Sequence, residues 1–432
     1  MNIAIYTLGC KVNQYETQAI EAELRRRGHD LVDFDGPADA YIVNTCTVTA
    51  VSDHKCRQAI RRAQKRSPGA VVAVCGCYAQ TDPQAVAALE VDLVGGANHR
   101  LAFLDDLEGL MAAKKGEPLV TTGNIMSTRV FEELPAGGLE GRTRALLKVE
   151  DGCVNFCTYC IIPYARGPVR SLPIDRAAAE ARRLMEAGYK ELVVTGIEIS
   201  SWGQDLRDGT GLIDLMEAIC AAAPACRIRL GSLEPRTVTE DFCRRASSLH
   251  NLDAHFHLSL QSGCDATLRR MNRKYDTARF LESVGLLRQW FDRPGITADL
   301  IVGFPGETEE DFQTTVEFIH TCAFTDMHIF PYSRRPGTPA DRMPGQISNR
   351  VKEERSHIAI QAAREESEAY RRSWVGQTLP VLFEEVKGGL WRGYAPNYVD
   401  VSVSSAESLH NIEGQVRITG LTEEGLLGEL LP

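Results

Sequence analysis

Short apolar runs alternate with longer amphipathic stretches through the first part of the chain. "NIAIYTL" reads as a strand and "NQYETQAIEAELRRRG" as a helix. "AYIVNT" is a second strand, followed by a helix rich in Lys and Arg; "AVVAVCG" is a third, then "DPQAVAALE" and a short "VDLVGG". Brief apolar runs bounded by Gly and separated by helices are buried parallel strands joined by crossovers. They predict a small three-layer α/β domain over residues 1–113. "GEPL", "TTGN" and "LPAGGLEGR" mark 114–142 as a linker or surface excursion.

From 143 the alternation resumes at longer spacing. "ALLKVED", "KELVVTG", "CRIRLGS", "AHFHLSLQS", "ITADLIVGF" and "DMHIFPYS" are candidate strands, with helices such as "PIDRAAAEARRLMEAG" and "TARFLESVGLLRQWF" between them. Six βα units predict a partial (β/α)6 barrel over 143–371. The C-terminal strand ends are where such barrels place their chemistry. Here those ends are polar: Cys153, Thr195, Ser232, Glu234, Gln261, Ser262, Gly303 and Tyr332. A long charged amphipathic helix (348–374) follows and is expected to pack across domains. Residues 372–432 change to short β-rich runs separated by Gly and Asn, a small β-barrel. Its Trp391, Tyr394 and Tyr398 suit either stacking on nucleotide bases or packing within and around the barrel. The fold class is therefore α/β with a C-terminal β-barrel.

The formal net charge of −10 disfavours non-specific nucleic-acid binding by the whole chain. It leaves room for a local basic patch, and Lys55, Arg57, Arg61, Arg62, Lys65 and Arg66 share one predicted helix, whose plain reading is a solvated face. No run has the length of a membrane span, and "MNIAIYTLGC" lacks the basic and apolar regions of a signal peptide, so the expected compartment is the cytoplasm. The picture changes with the cysteines. There are thirteen, an odd number and many for a reducing compartment, which directs attention to metal or redox chemistry. Cys220, Cys226, Cys243 and Cys322 fall in apolar or mixed helical patterns and read as core; Cys264 has the same default role.

Cys153, Cys157 and Cys160 follow the first barrel strand directly, in "CVNFCTYC". Three thiols are one short of a closed zinc site. They suit a 4Fe–4S cluster that leaves one iron open to a small molecule. Zinc with a distant fourth ligand is the structural alternative. A second set is dispersed: Cys10 ends the first strand of the N-terminal domain, Cys46 the second, and Cys75 and Cys77 the third. Adjacent parallel strands bring their C-terminal ends together, so these thiols are expected to converge. Cys77 is preferred to Cys75 because it follows a glycine beyond the strand, as Cys10 does, whereas Cys75 continues the strand's apolar pattern. Cys56, on the basic helix, is read as a bystander.

"CVNFCTYC" resembles the signature of the radical S-adenosylmethionine enzymes, and the order of domains resembles the methylthiotransferases among them, over essentially the full chain. The opening "TLGCKVNQYETQAI" is most similar to the branch acting on N6-threonylcarbamoyladenosine in tRNA; the isopentenyladenosine branch typically has "GCQMN" there and the ribosomal-protein aspartate branch "GCPKN". The terminal barrel resembles the RNA-binding TRAM domain. The resemblance implies a transferase with two 4Fe–4S clusters, one on Cys153, Cys157 and Cys160 and one on Cys10, Cys46 and Cys77. It implies S-adenosylmethionine in two roles, methylating a sulfur at the second cluster and yielding a 5′-deoxyadenosyl radical at the first.

The same resemblance places Tyr159 near the adenine of S-adenosylmethionine and Thr195, Gly196 and Glu198 near its amino group, although Gly196-Ile197-Glu198 departs from the usual Gly-Gly-Glu. Ser232 and Glu234 are candidates for the ribose hydroxyls, Gln261 and Arg273 for the carboxylate or sulfonium region. "DLIVGFPGET" matches the strand whose backbone meets adenine, and Tyr332 with "SRRPGTPA" a loop on the substrate side. The implied partners are the anticodon loop of tRNA, presenting modified adenosine 37, and an electron donor such as flavodoxin or ferredoxin. The alternatives are the same chemistry on isopentenyladenosine or a ribosomal-protein aspartate, and a non-catalytic iron–sulfur RNA-binding protein.

Overall fold

The computed structural model describes residues 1–113, 116–134 and 142–432. A six-stranded, wholly parallel sheet forms the N-terminal domain. Its three principal strands, Asn2–Thr7, Ala40–Thr45 and Val71–Gly76, lie side by side. Helices Lys11–Arg26 and Arg100–Ala112 bury Ile20, Leu24, Phe103 and Leu107 on one face, and helix Ala50–Arg66 buries Cys56, Ala59 and Ile60 on the other, giving three layers. Within the stretch read as a linker, Leu119–Val120 pairs with Leu93–Val94 as the sixth strand; 114–115 and 135–141 lie outside the described residues.

All six expected strands of the second domain are present. Arg144–Lys148, Glu191–Thr195 and Arg227–Leu230 pair in parallel, and Ser232–Leu233 continues the third into His255–Gln261, Gly295–Val302 and Asp326–Pro331. Alternation decides which side chains face which way. Leu192, Val194, Phe256, Leu258, Leu260, Ile296 and Leu300 pack outward against the helices in one continuous core. The intervening positions, including Glu191, Arg229, His257 and Asp299, point into the hollow of the half-barrel.

The first and last strands do not pair, and the N-terminal domain spans that gap. Helix Lys11–Arg26 lies against Arg144–Lys148. Arg335, beyond the last strand, donates to Thr47 and Asp53. At the centre of this junction Glu16, 1 % exposed, accepts from Arg100 (2.6 Å), Lys148 (2.9 Å) and Arg166, and Lys148 also reaches Asp151 (2.8 Å). These cations hold the Glu16 carboxyl well below its ordinary range, overcoming burial.

Helix Asn349–Arg372 leads into a closed five-stranded barrel. The base-stacking role does not fit the placement of Tyr394 and Tyr398. Tyr394 and Tyr398 stack on each other with centroids 4.8 Å apart, under Arg144 (4.8 Å from Tyr394) and Arg229 (3.8 Å from Tyr398). They are the seat of this barrel on the floor of the half-barrel, and Trp391 packs on the small barrel's own core. Among the described residues no helix is long and apolar enough to cross a membrane.

Removing one partner of a buried ion network strands the others in low dielectric. Glu16→Gln is therefore expected to cost about 3–5 kcal/mol and to loosen the N-terminal domain from the half-barrel; chemical denaturation and limited proteolysis at the junction measure both.

Candidate functional site

The register of the first sheet explains how distant thiols meet. Thr45 pairs with Gly76, so Cys46 and Cys77 each stand one residue past the same rung. Gly9 has φ +122° and its absent Cβ would lie 3.0 Å from the Cys46 Cβ, so only glycine lets the Cys10 turn close on Cys46. Asn13 ties the turn down, donating to the carbonyls of Leu8 (2.7 Å) and Thr45 (2.9 Å). Cys10, Cys46 and Cys77 lie within one another's electrostatic reach. Cys75 points into the opposite core and Cys56 into the core beneath the basic helix, both fully buried; the thiol of Cys56 donates to the Cys46 carbonyl. Cys220, Cys226, Cys243 and Cys322 are core residues of the half-barrel, and the thiol of Cys264 donates to Asp311.

The second thiol set sits on a loop folded by its backbone. Cys153 N–H donates to the Gly167 carbonyl (3.0 Å), Thr158 N–H to Met271 (3.0 Å) and Cys160 N–H to Cys157 (2.9 Å). Cys153, Cys157 and Cys160 share one field. Each set has a guanidinium against one sulfur: Arg273 Nη1 is 3.2 Å from Cys157 Sγ and Arg166 Nε is 3.2 Å from Cys77 Sγ. Arg166 is fully buried and also donates to Glu16 and to Asn13 Oδ1 (2.6 Å), so one side chain joins the second thiol set to the domain junction.

Burial pushes the Cys77 and Cys160 thiols up to about 12 and raises Cys46 and Cys153 as well. Such thiols are inert as nucleophiles and need a metal to displace their protons. Guanidinium donors then favour the anionic sulfur. Three thiols with a guanidinium donor against one sulfur suit a cluster that gives each thiolate its own iron.

The other expected residues surround the Cys153–Cys160 loop to different degrees. Thr195 ends its strand buried, and its carbonyl accepts from Val149 N–H (2.9 Å). Gly196 lies against Glu150, whose Oε2 accepts the Glu198 N–H at 2.7 Å. Glu198 has Arg273 and Glu234 in its field, and burial with the Glu234 charge outweighs Arg273 to raise its carboxyl to about 7. Glu234 is bound by Arg236 (2.9 Å). Ser232 is exposed at the strand break, and Gln261 stands at a register shift with φ +64°, a strained conformation common at working sites. Arg273 is held by Tyr275 (3.1 Å) and the Ser259 carbonyl (3.3 Å) as well as Cys157. Tyr159 packs edge-on to Phe304 of the "GFPGE" turn, centroids 6.5 Å apart, and Phe304 packs on Tyr332.

Sequence reasoning missed Glu150 and Arg166. Glu150 is fully buried, its Oε1 has no hydrogen-bond partner, and burial raises its carboxyl well above the ordinary range. Arg166 lies in "PYARG" without a motif of its own. Lys11, first residue of its helix, is exposed yet walled by protein, and that confinement with Arg229 and Arg144 lowers its ammonium to about 8. His257 was visible only as a polar position in an alternating strand; it bonds Thr297 (2.9 Å) and Asp299 (3.2 Å) inside the hollow.

Three thiols beside a parallel half-barrel's C-terminal end define a radical S-adenosylmethionine protein. Residues 147–319 match the radical SAM superfamily and residues 2–96 the uncharacterized protein family UPF0004. The first of these implies a 4Fe–4S cluster and S-adenosylmethionine. The radical S-adenosylmethionine methyltransferase TsrM of Kitasatospora setae has a similar fold, with TM-score 0.59 at 14% identity over 84% of this chain and 89% of that one. The chain is 39% identical over 94% of its length to the threonylcarbamoyladenosine tRNA methylthiotransferase MtaB of Bacillus subtilis, covering 91% of it. It is 36% identical to the Thermotoga maritima protein of the same name, over 98% and 96% of the two chains. A tRNA-2-methylthio-N(6)-dimethylallyladenosine synthase of Clostridium tetani is 30% identical over 88% of this chain and 84% of its own. The chain belongs to the family of threonylcarbamoyladenosine tRNA methylthiotransferases.

A raised carboxyl contributes stability that is complete below its ordinary range near 4.5 and drains away as pH rises through its folded value of about 7. In the cofactor-free protein, wild type is expected to lose about 1–2 kcal/mol relative to Glu198→Gln between about pH 5 and pH 8, read from paired denaturation curves.

Proposed function

We propose that this chain transfers a methylthio group to C2 of N6-threonylcarbamoyladenosine at position 37 of tRNA. In this reading Cys153, Cys157 and Cys160 hold one 4Fe–4S cluster and Cys10, Cys46 and Cys77 a second. The observation that carries it is the buried side chain of Arg166, which lies 3.2 Å from Cys77 Sγ and donates to Glu16, so that one three-thiol set is fastened to the half-barrel whose first loop carries the other. The names borne by relatives of near-full length support the substrate. When bound, the clusters and S-adenosylmethionine supply the one-electron and sulfur chemistry that an unactivated aromatic C–H requires.

The chain's own residues position and insulate. Arg273 holds charge beside Cys157 and has Glu198 in its field, so an ammonium against Glu198 and a carboxylate against Arg273 fit the two ends of one amino acid, the methionine part of the cofactor. Tyr159 and Phe304 give an apolar edge for a purine. Arg166 keeps the second sulfur set fixed relative to the first strand of the half-barrel through Glu16 and Asp151.

An acidic chain needs a local site for tRNA phosphates. Helix Ala50–Arg66 offers Lys55, Arg61 and Lys65 exposed and without ion-pair partners among the described residues, whereas Arg62 and Arg66 are drawn to Asp35. The electron donor is a reduced flavodoxin or ferredoxin, and the compartment is the cytoplasm, where tRNA is modified.

Cys10→Ala, reconstituted anaerobically, is expected to fall from about eight irons to about four, to lose methylthiolation of the nucleoside by mass spectrometry, and to keep forming 5′-deoxyadenosine. Unimpaired methylthiolation sinks the second cluster. Reversing Lys55, Arg61 and Lys65 to Glu is expected to weaken tRNA binding about tenfold or more at low salt and to flatten its salt dependence, because each phosphate contact contributes to the slope.

A further inference from the structure

One aromatic ring on the inner wall of the half-barrel takes no part in a core. In the last strand, Asp326–Pro331, Met327 and Ile329 pack outward against the helices. Asp326, His328 and Phe330 therefore face the hollow. Phe330 is 52 % exposed. Ring contacts fix where it stands. Its centroid lies 6.4 Å from that of His328, and the His328 ring lies 5.9 Å from that of His257, which bonds Thr297 (2.9 Å) and Asp299 (3.2 Å). An apolar ring left open in a concave wall of polar neighbours is the kind of surface that marks a ligand groove.

Phe330 stands between the two parts of the proposed chemistry. On one side the strand register sets Ile301 directly beside it. Ile301 packs, with Tyr159, on Phe304 and Tyr332, the apolar edge that suits the cofactor's purine. On the other side the chain leaves the strand and within a few residues meets the N-terminal domain. Ser333 Oγ accepts from the Ala50 N–H (3.4 Å), and Arg335 donates to Thr47 and Asp53. The segment they touch follows Cys46 directly and exposes Val48 and Val51. A substrate nucleoside has to lie in this same interval, because its C2 must meet what each thiol set supplies.

A planar base can be held by its edges or by its face. Edge contacts near C2 would block the carbon that reacts, whereas stacking leaves the whole edge free. The base also has to leave the stack of the anticodon loop, and an aromatic face replaces part of what it loses there. We propose that Phe330 is the platform on which the target adenine stacks inside the hollow. The inference rests on the function proposed above for the identity of that base. It adds a residue that binds the reacting ring itself, whatever substituent N6 carries, because stacking engages the π-face that every base has.

The test is binding, independent of turnover. Full-length reconstituted protein is titrated by fluorescence anisotropy with two anticodon stem-loop RNAs, one carrying threonylcarbamoyladenosine at position 37 and one abasic there. Wild type is expected to prefer the RNA that carries the base about tenfold. Phe330→Ala is expected to bind both RNAs equally, at the wild-type affinity for the abasic one, and Phe330→Trp to keep the preference. Equal weakening on both RNAs in Phe330→Ala would make the ring a contact to another part of the loop and overturn the proposal, as would an undiminished preference. Methylthiolation by the wild type is read in parallel by mass spectrometry of the nucleoside. Methylthiolation without a preference for the base overturns the platform and leaves the proposed function intact. A preference lost in Phe330→Ala, without methylthiolation by the wild type, removes the function reading and leaves the platform. A wild type that neither prefers the base nor modifies it removes both.

Discussion

The carboxylate of Glu16 is the point on which the molecule turns. It belongs to the N-terminal domain, yet two of the three cations on it, Lys148 and Arg166, come from the half-barrel. Burying such a group is costly unless every lone pair is matched. Here the matching partners arrive only when the domains dock. Arg166 then extends the same network to Cys77 and to Asn13, which itself fastens the Cys10 turn to the strand beside Cys46. The position of one thiol set relative to the other is thus a consequence of an ion network, more than of apolar contact.

The half-barrel gives the converse lesson. Its outward face is a continuous apolar core and its inward face is polar, so the hollow stays open where a full barrel would fill with side chains. Leaving the first and last strands unpaired would expose their edges. The N-terminal domain covers that opening with the helix Lys11–Arg26, and the same junction sets Arg166 against Cys77.

Much of this was legible in the residues. Strand and helix periods located all six strands of the half-barrel and the three main strands of the first sheet, because buried parallel strands are nearly uninterrupted apolar runs. The thiols were legible because Cys10, Cys46 and Cys77 fall at equivalent strand ends, and Cys77 was preferred to Cys75 because it follows a glycine beyond the strand, as Cys10 does. What escaped has one physical character. Glu150 and Arg166 owe their surroundings to what tertiary packing sets beside them, and local sequence holds no trace of that. The aromatics of the C-terminal barrel show the same limit from the other side: an exposed-looking Tyr394 and Tyr398 were open to nucleotide stacking until Arg144 and Arg229 were seen resting on them.

That seat has a mechanical meaning. The C-terminal barrel is reached through the helix Asn349–Arg372 and then clamped by stacked rings to the underside of the half-barrel. A module tethered only by a chain would sweep a wide volume; one clamped at both ends keeps a constant offset from the opening above. The distance from that barrel to the opening above is then a fixed length of the fold, set by two stacked tyrosines and the two arginines that rest on them.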